Sequence, residues 1–233
     1  MAKEFKRPDG RKVDEIRPMK AKVGIIPNAN GSAMFSFGDT VAIAAVYGPK
    51  EHHPKNQRNP AKGTLRCNYN MLSFSVTDRI RPGPSRRSTE ISEITKWALE
   101  PVVMINDYPG MVIDVHINIL QANASTRCAG INAAALALAH AGIPMNNLVS
   151  SVSIGKLDKQ LVVDVNKHEE DWEEGEGATD IPITMTGDGK MTHIQADGKI
   201  TIKQLKEAVD LASKAIKKIY EVQKKALKEV GEK

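Results

Sequence analysis

Residues 111–122 (Met-Val-Ile-Asp-Val-His-Ile-Asn-Ile-Leu-Gln-Ala) run through Asn-Ala-Ser-Thr-Arg (123–127) into Cys-Ala-Gly-Ile-Asn-Ala-Ala-Ala-Leu-Ala-Leu-Ala-His-Ala-Gly (128–142). In the first part Ile113, Val115, Ile117 and Ile119 recur at every second position, the period of a strand that buries one face. The last part is rich in small residues and ends at Gly142, with Pro144 just beyond, which are the stop signals of a helix. So many alanines predict that this helix packs closely on a sheet. A strand feeding a helix through a short polar connection is the central unit of the fold.

Toward the N-terminus, the pattern predicts a helix from near Ser85 to about Ile105. Ile91, Ile94, Trp97, Ala98, Pro101 and Val102 would lie on one side of it, and Pro101 is expected to kink or end it. Before it, the β-rich runs 19–27, 32–38, 40–48 and 64–76 predict strands separated by turn residues. The polar segment 51–63 carries two prolines and reads as an exposed loop. Toward the C-terminus, strands are expected within 148–158, 160–165, 180–187 and 190–198. The last two flank Gly-Asp-Gly (187–189), a hairpin turn that accounts for Asp188. One long helix, about 202–230, closes the chain. Thr201 and Gln204 make a capping-box pattern, and Leu205, Ala208, Val209, Ala212, Ile216, Ile219, Tyr220, Leu227 and Val230 form an apolar stripe opposite a lysine-rich face. This order gives an α+β class in which mixed sheets are packed with helices. The 233 residues read as a single domain, 1–233, of two βα-type halves, roughly 1–145 and 146–233.

Composition sets the class. Hydrophobic content of 41% and charged content of 26% exclude disordered and fibrous proteins. No apolar run approaches the roughly 18–20 residues that cross a membrane, and two cysteines are too few for a disulfide scaffold. A cytoplasmic protein without membrane contact is expected. The net charge of +5 matters less than its distribution. Residues 79–87 hold Arg79, Arg81, Arg86 and Arg87 and no acid, whereas 169–176 hold six acids and no base. A surface shaped only for solubility mixes the signs.

Two helix starts then break the same local rule. In Pro-Ser-Arg-Arg-Ser-Thr-Glu (84–90), Ser85 or Ser88 is a natural N-cap, which places Arg86 and Arg87 at the positive end of the helix dipole. A cation there costs about 0.3–1 kcal/mol, and a bound anion reverses the sign. In Asn-Ala-Ser-Thr-Arg, Ser125 and Thr126 offer hydroxyls, the helix offers N–H groups, and Arg127 offers a fork that fits phosphate. The plainer readings are solvated arginines and ordinary capping, but the coincidence of two such starts on strand–helix units favours an anion site. Asp180, in Gly-Ala-Thr-Asp-Ile-Pro (177–182), follows the acidic loop. Its carboxylate suits a divalent ion or a leaving oxygen, with Asp171, Glu173 or Glu174 as a second ligand. No Walker loop, dinucleotide fingerprint or serine elbow occurs, and neither the six histidines nor Cys67 and Cys128 show zinc spacing.

These residues, in this order, resemble the RNase PH family, and within it the catalytic RNase PH-type subunit of the archaeal exosome. Arg-Pro-Asp-Gly-Arg-Lys (7–12) with Ile-Arg-Pro (16–18) resembles the family's opening. Pro-Ser-Arg-Arg-Ser-x-Glu-Ile-Ser (84–92) and Leu-Gln-Ala-x-Ala-Ser-Thr-Arg (120–127) resemble its RNA and phosphate motifs, and Ala-Thr-Asp-Ile-Pro-Ile (178–183) its catalytic-aspartate strand. The resemblance implies an RNase PH-like fold and a 3′→5′ phosphorolytic exoribonuclease that releases nucleoside diphosphates. Ser125, Thr126 and Arg127 would bind inorganic phosphate, the co-substrate; Arg66, Arg86 and Arg87 would bind RNA. Asp180 would be catalytic and, with Glu174, would hold Mg²⁺ or Mn²⁺. The implied partners are RNA, an inactive sister subunit in a hexameric ring, and RNA-binding cap proteins. The sequence departs from the family pattern in a longer acidic loop and in Ser125, where glycine is common. Three rivals remain: a free-standing RNase PH that trims tRNA, a non-catalytic ring subunit, and a plain RNA-binding protein. They differ in whether RNA shortens, and whether that requires phosphate or a partner.

Overall fold

The computed structural model describes residues 7–173 and 175–231. Strands β1 (Met19–Val23), β2 (Gly31–Phe37), β3 (Thr40–Glu51), β4 (Thr64–Met71) and β5 (Met111–Gln121) form one sheet in the order β1-β2-β3-β5-β4. All its pairings are antiparallel except β4–β5, which is parallel and joined through helix α1 (Arg86–Leu99). Strands β6 (Val149–Leu157), β7 (Gln160–Val163), β8 (Ala178–Thr186) and β9 (Met191–Ile194) form a second, antiparallel sheet in the order β7-β6-β8-β9. The architecture is α+β, as expected.

Helix α2 (Thr126–His140) packs against strands of both sheets. Its residues from Thr126 to Leu138 are buried with one exception, Arg127. That is why the segment has no polar stripe: a helix covered on all sides needs none. Alanines and glycines allow the closeness. A Cβ on Gly31 of β2 would collide with the backbone of Ala137 in α2 and of Ala141, its C-cap. Helix α4 (Ile202–Gly231) lies along β6 and β1, with Ala208, Ala212, Ile216 and Ile219 buried. Thr201 and Gln204 bond one another at its start as the capping pattern predicted. Among the described residues no helix is long and apolar enough to cross a membrane.

Several expectations need correction. Helix α1 stops at Leu99, before Pro101, instead of reaching Ile105. Trp97 does not share the inward face with Ile91, Ile94 and Ala98 but is 57% exposed. At 100° per residue it stands well off the line that those three define. β1 ends at Val23 and β4 at Met71, earlier than their apolar runs suggested. The segment 51–63 is not uniformly exposed, because β3 runs on through Glu51 and His52 is buried. Helix α2 begins at Thr126 rather than at Cys128.

Candidate active site

The two helix starts differ. Helix α1 is closed by its own side chains: Ser85 Oγ accepts the Ser88 N–H at 3.0 Å, and Ser88 Oγ accepts the Ser85 N–H at 2.8 Å. Helix α2 has no side-chain cap. Its N-cap residue, Ser125, sits in the left-handed region (φ 52°, ψ 21°), and its hydroxyl donates elsewhere, to Asp164 Oδ1 at 3.2 Å and the Val165 carbonyl at 3.0 Å. The Thr126 hydroxyl is also engaged, accepting from the buried Tyr69 hydroxyl at 2.9 Å. The Ser125 hydroxyl therefore fastens the turn, and the donors left to an anion are first-turn N–H groups, the Thr126 hydroxyl proton and Arg127.

Arg127 opens onto a cleft of about 460 Å³ between the start of α2, the side of α1 and the β8–β9 face. Arg87 and Glu90 line it from α1; Asp180, Asp197 and Glu170 line it from the second sheet and the short helix α3 (Lys167–Glu170). Arg127 Nη1 donates to Gln195 Oε1, and Gln195 Nε2 donates to Glu90 Oε1 at 3.3 Å. Glu90 itself stands 4.0 Å from Arg127 Nη2. The guanidinium is thus steered by a glutamine and a carboxylate from separate elements. His193 lies near enough that burial, together with the Arg127 charge, holds its imidazole below the usual range.

Asp180 projects from β8. Its Oδ1 accepts the Ser153 hydroxyl of β6, and its backbone exchanges hydrogen bonds with Asp197 at 3.1 and 2.9 Å. Burial raises its pKa; the Ser153 bond opposes that rise and the Glu170 charge adds to it. Neither Asp180 nor Asp197 forms an ion pair with any described residue.

The structure brings Arg87, Arg127 and Asp180 to one cleft. It sets Arg86 on the exposed start of α1, outside that lining. Arg66 lies farther out on β4, where Nε and Nη2 bond Asp114 at 2.5 and 2.9 Å. Glu174 falls outside the described residues. Asp171 is taken by Lys167 at 2.6 Å. The acids that line the cleft with Asp180 are Glu90, Glu169, Glu170 and Asp197, of which Glu169 is paired with Arg7. Sequence reading missed Glu90, Gln195 and Asp197. Glu90 carried a signal, one turn after Arg86 and Arg87 on the same helix. Gln195 and Asp197 carried none, because only the β8–β9 pairing returns them to Asp180. Cys128 is an inert core thiol, pushed up to about 12 by burial.

Residues 15–144 match the 3′ exoribonuclease family, domain 1, and residues 147–215 match domain 2. An exosome complex component Rrp41 of Pyrococcus furiosus is 49% identical over 96% of this chain and 88% of its own length. The protein of the same name from Methanosarcina mazei is 46% identical over 95% of this chain, which spans only 44% of that longer relative. Among solved structures, rice Rrp46 superposes with a TM-score of 0.83 at 23% identity, covering 95% of this chain and all of that one. A chain of the Archaeoglobus fulgidus exosome with RNA bound to the active site superposes at 0.81, also at 23% identity, over 93% of this chain and 92% of that one. These two likenesses speak for the fold, with its paired sheets and long closing helix. Matched in both halves, and sharing nearly half its residues with relatives over almost its whole length, the chain belongs to the RNase PH family of 3′ exoribonucleases.

Proposed function

We propose that this chain is the catalytic subunit of an exosome-type ring and shortens RNA from the 3′ end by phosphorolysis in the cytoplasm. The observation that carries the reading is one cleft holding both an uncapped helix start with Arg127 and the buried carboxylate Asp180. Phosphorolysis must bring together two anions, the attacking phosphate and the scissile phosphodiester, and offset their repulsion. Thr126 and Arg127, with the N–H groups at Ser125 and beyond, hold inorganic phosphate. Arg86 and Arg87 grip RNA phosphates near the 3′ end, and Arg66 lines the path farther out.

A phosphate oxygen then attacks the last phosphorus, the P–O3′ bond breaks, and a nucleoside diphosphate leaves. The 3′ oxygen of the shortened RNA needs a proton. A protonated Asp180, whose surroundings raise its affinity for a proton, would supply it from Oδ2, since Oδ1 is held by Ser153; ionised, the same oxygen would instead hold the divalent ion. The acceptor of the nucleotidyl group is phosphate and not water, so the reaction is a transfer.

The residues present fit a divalent ion, Mg²⁺ or Mn²⁺. Asp180, Asp197 and Glu170 offer only oxygen, and the first two form no ion pair with a described residue. Among the described residues no group of three such ligands forms. When bound, it supplies positive charge against the phosphate oxygens. The proposed partners are RNA, an inactive RNase PH-type sister subunit in a hexameric ring, and RNA-binding cap proteins. The names of the relatives support a ring, and Phe74, Trp97 and Ile202 are large apolar side chains exposed on the surface. Two unpaired cysteines agree with a reducing compartment.

The test is degradation of 5′-labelled poly(A) by the chain with its sister subunit and Mg²⁺. Shortening is expected only when phosphate is added, and Arg127→Glu should lose it at any phosphate concentration. Equal shortening without phosphate would overturn the proposal.

A further inference from the structure

The turn before α2 is bent in a way its residues do not favour. Ala124 and Ser125 are consecutive non-glycine residues in the left-handed region, at φ 54° and 52°. Something outside the turn must hold them there. Arg17, from the segment that precedes β1, donates through Nη1 to the Asn123 carbonyl at 2.6 Å. Its Nε and Nη2 bond Asp164 Oδ2 and Oδ1 at 2.8 and 2.6 Å, a two-point clasp. Asp164 follows β7, is fully buried, and accepts the Ser125 hydroxyl. Thr40 Oγ1 accepts the Asn123 N–H at 3.0 Å, and the Lys167 N–H bonds Asn123 Oδ1 at 2.8 Å. Asn123 Oδ1 and the Ser125 hydroxyl are therefore both tied to the scaffold. Fasteners come from the first sheet on one side and from the α3 region of the second on the other.

We propose that Arg17 and Asp164 are positioning residues for the phosphate site, a claim that rests on the phosphorolytic reading above. Neither lines the cleft. They act through the turn: their ion pair holds Ala124 and Ser125 in the left-handed bend, and the bend aims the first-turn N–H groups and Arg127 at the anion. A buried arginine–carboxylate pair adds little to stability against a well-packed apolar substitute, because desolvation offsets the attraction. What such a pair does fix is geometry. The Ser125 hydroxyl also reaches Asp164 and Val165 and ties down a conformation that glycine would adopt unaided.

The experiment uses Arg17→Lys in the assembled ring, which keeps the charge and loses the clasp. Ile216→Ala, a core truncation in α4, serves as the stability control. Arg17→Lys is expected to raise the phosphate KM about tenfold while RNA affinity and kcat at saturating phosphate stay within about twofold. Ile216→Ala should lower the melting temperature and leave the phosphate KM unchanged. An unchanged phosphate KM in Arg17→Lys would overturn the proposal. Hydrogen exchange gives a readout independent of activity. In Arg17→Lys the amides of Asn123 and Ala129, which bond Thr40 Oγ1 and the Ser125 carbonyl, should exchange about tenfold faster relative to the middle of α2. If the wild-type ring shows no phosphate-dependent cleavage, the phosphorolytic reading fails on its own. The positioning of the turn is then decided by exchange, and equal rates in the two proteins would end it.

Discussion

Tyr69→Phe is a sharp test of how the helix start is built. Tyr69 lies on β4, is 2% exposed, and donates its hydroxyl to Thr126 Oγ1 at 2.9 Å. Burial pushes its pKa up to about 12, so the hydroxyl remains a donor throughout the neutral range. Thr126 is itself 5% exposed. The phenylalanine ring fills the same space, so the substitution removes one hydrogen bond and leaves a buried threonine hydroxyl without that partner. The cost is about 1–3 kcal/mol, most of it the unpaired group. In a chain of 233 residues about 1 kcal/mol moves the melting temperature by about 2–4 °C, so a fall of about 2–12 °C is expected. Thr126→Ala removes the other end. A double-mutant cycle by calorimetry should give a coupling of about 1 kcal/mol, since the second substitution deletes a group already stranded by the first. The phosphate KM should rise in Tyr69→Phe as well, because the first turn of α2 loses a tether. Additivity of the two substitutions within about 0.3 kcal/mol would refute this construction.

Other predictions follow from the same geometry. Asp180 has a pKa raised by burial above its unfolded value, so the stability it contributes is present below the unfolded pKa and lost as pH rises through the folded one. Asp180→Asn should therefore abolish turnover yet melt higher than wild type at pH about 7, with the gain vanishing below pH about 4, as calorimetry across pH would read. Mg²⁺ should raise the wild-type melting temperature and leave that of Asp180→Asn nearly unmoved. Arg66→Ala, whose side chain is paired with Asp114 away from the cleft, should weaken RNA binding and flatten its salt dependence by about one counterion. The phosphate KM should not change, and a shift in it would contradict the placement of Arg66. Gly31→Ala should destabilise by about 1–3 kcal/mol or more in denaturant titration, since its new methyl meets the backbone of Ala137 in α2 and of Ala141, its C-cap.

Much of the fold could be read from period and punctuation. The alternation of Ile113, Val115, Ile117 and Ile119, the alanine run of α2 and the capped stripe of α4 are local signals, and each element formed where they point. Errors arose where tertiary contacts decide. Trp97 has an apolar side chain but stands on the outer face of α1, and His52 is polar but buried, because burial depends on what lies opposite. At the site, Arg87, Arg127 and Asp180 belong to motifs and were legible. Their assembly was not: Gln195 reaches Glu90 across 105 residues, and Arg17 reaches Asp164 across 147. The hydroxyl of Ser125 looked like a ligand donor and turned out to hold the turn, a role that depends on a left-handed backbone no sequence pattern displayed.

The most direct test follows the phosphate itself. The ring is incubated with unlabelled poly(A), Mg²⁺ and [³²P]phosphate, and the released nucleotides are resolved by chromatography. The account predicts label in ADP, all of it at the β position, with none in AMP. Unlabelled AMP as the product, at the same yield with or without phosphate, would mean that water is the nucleophile and that the α2 anion site serves another purpose.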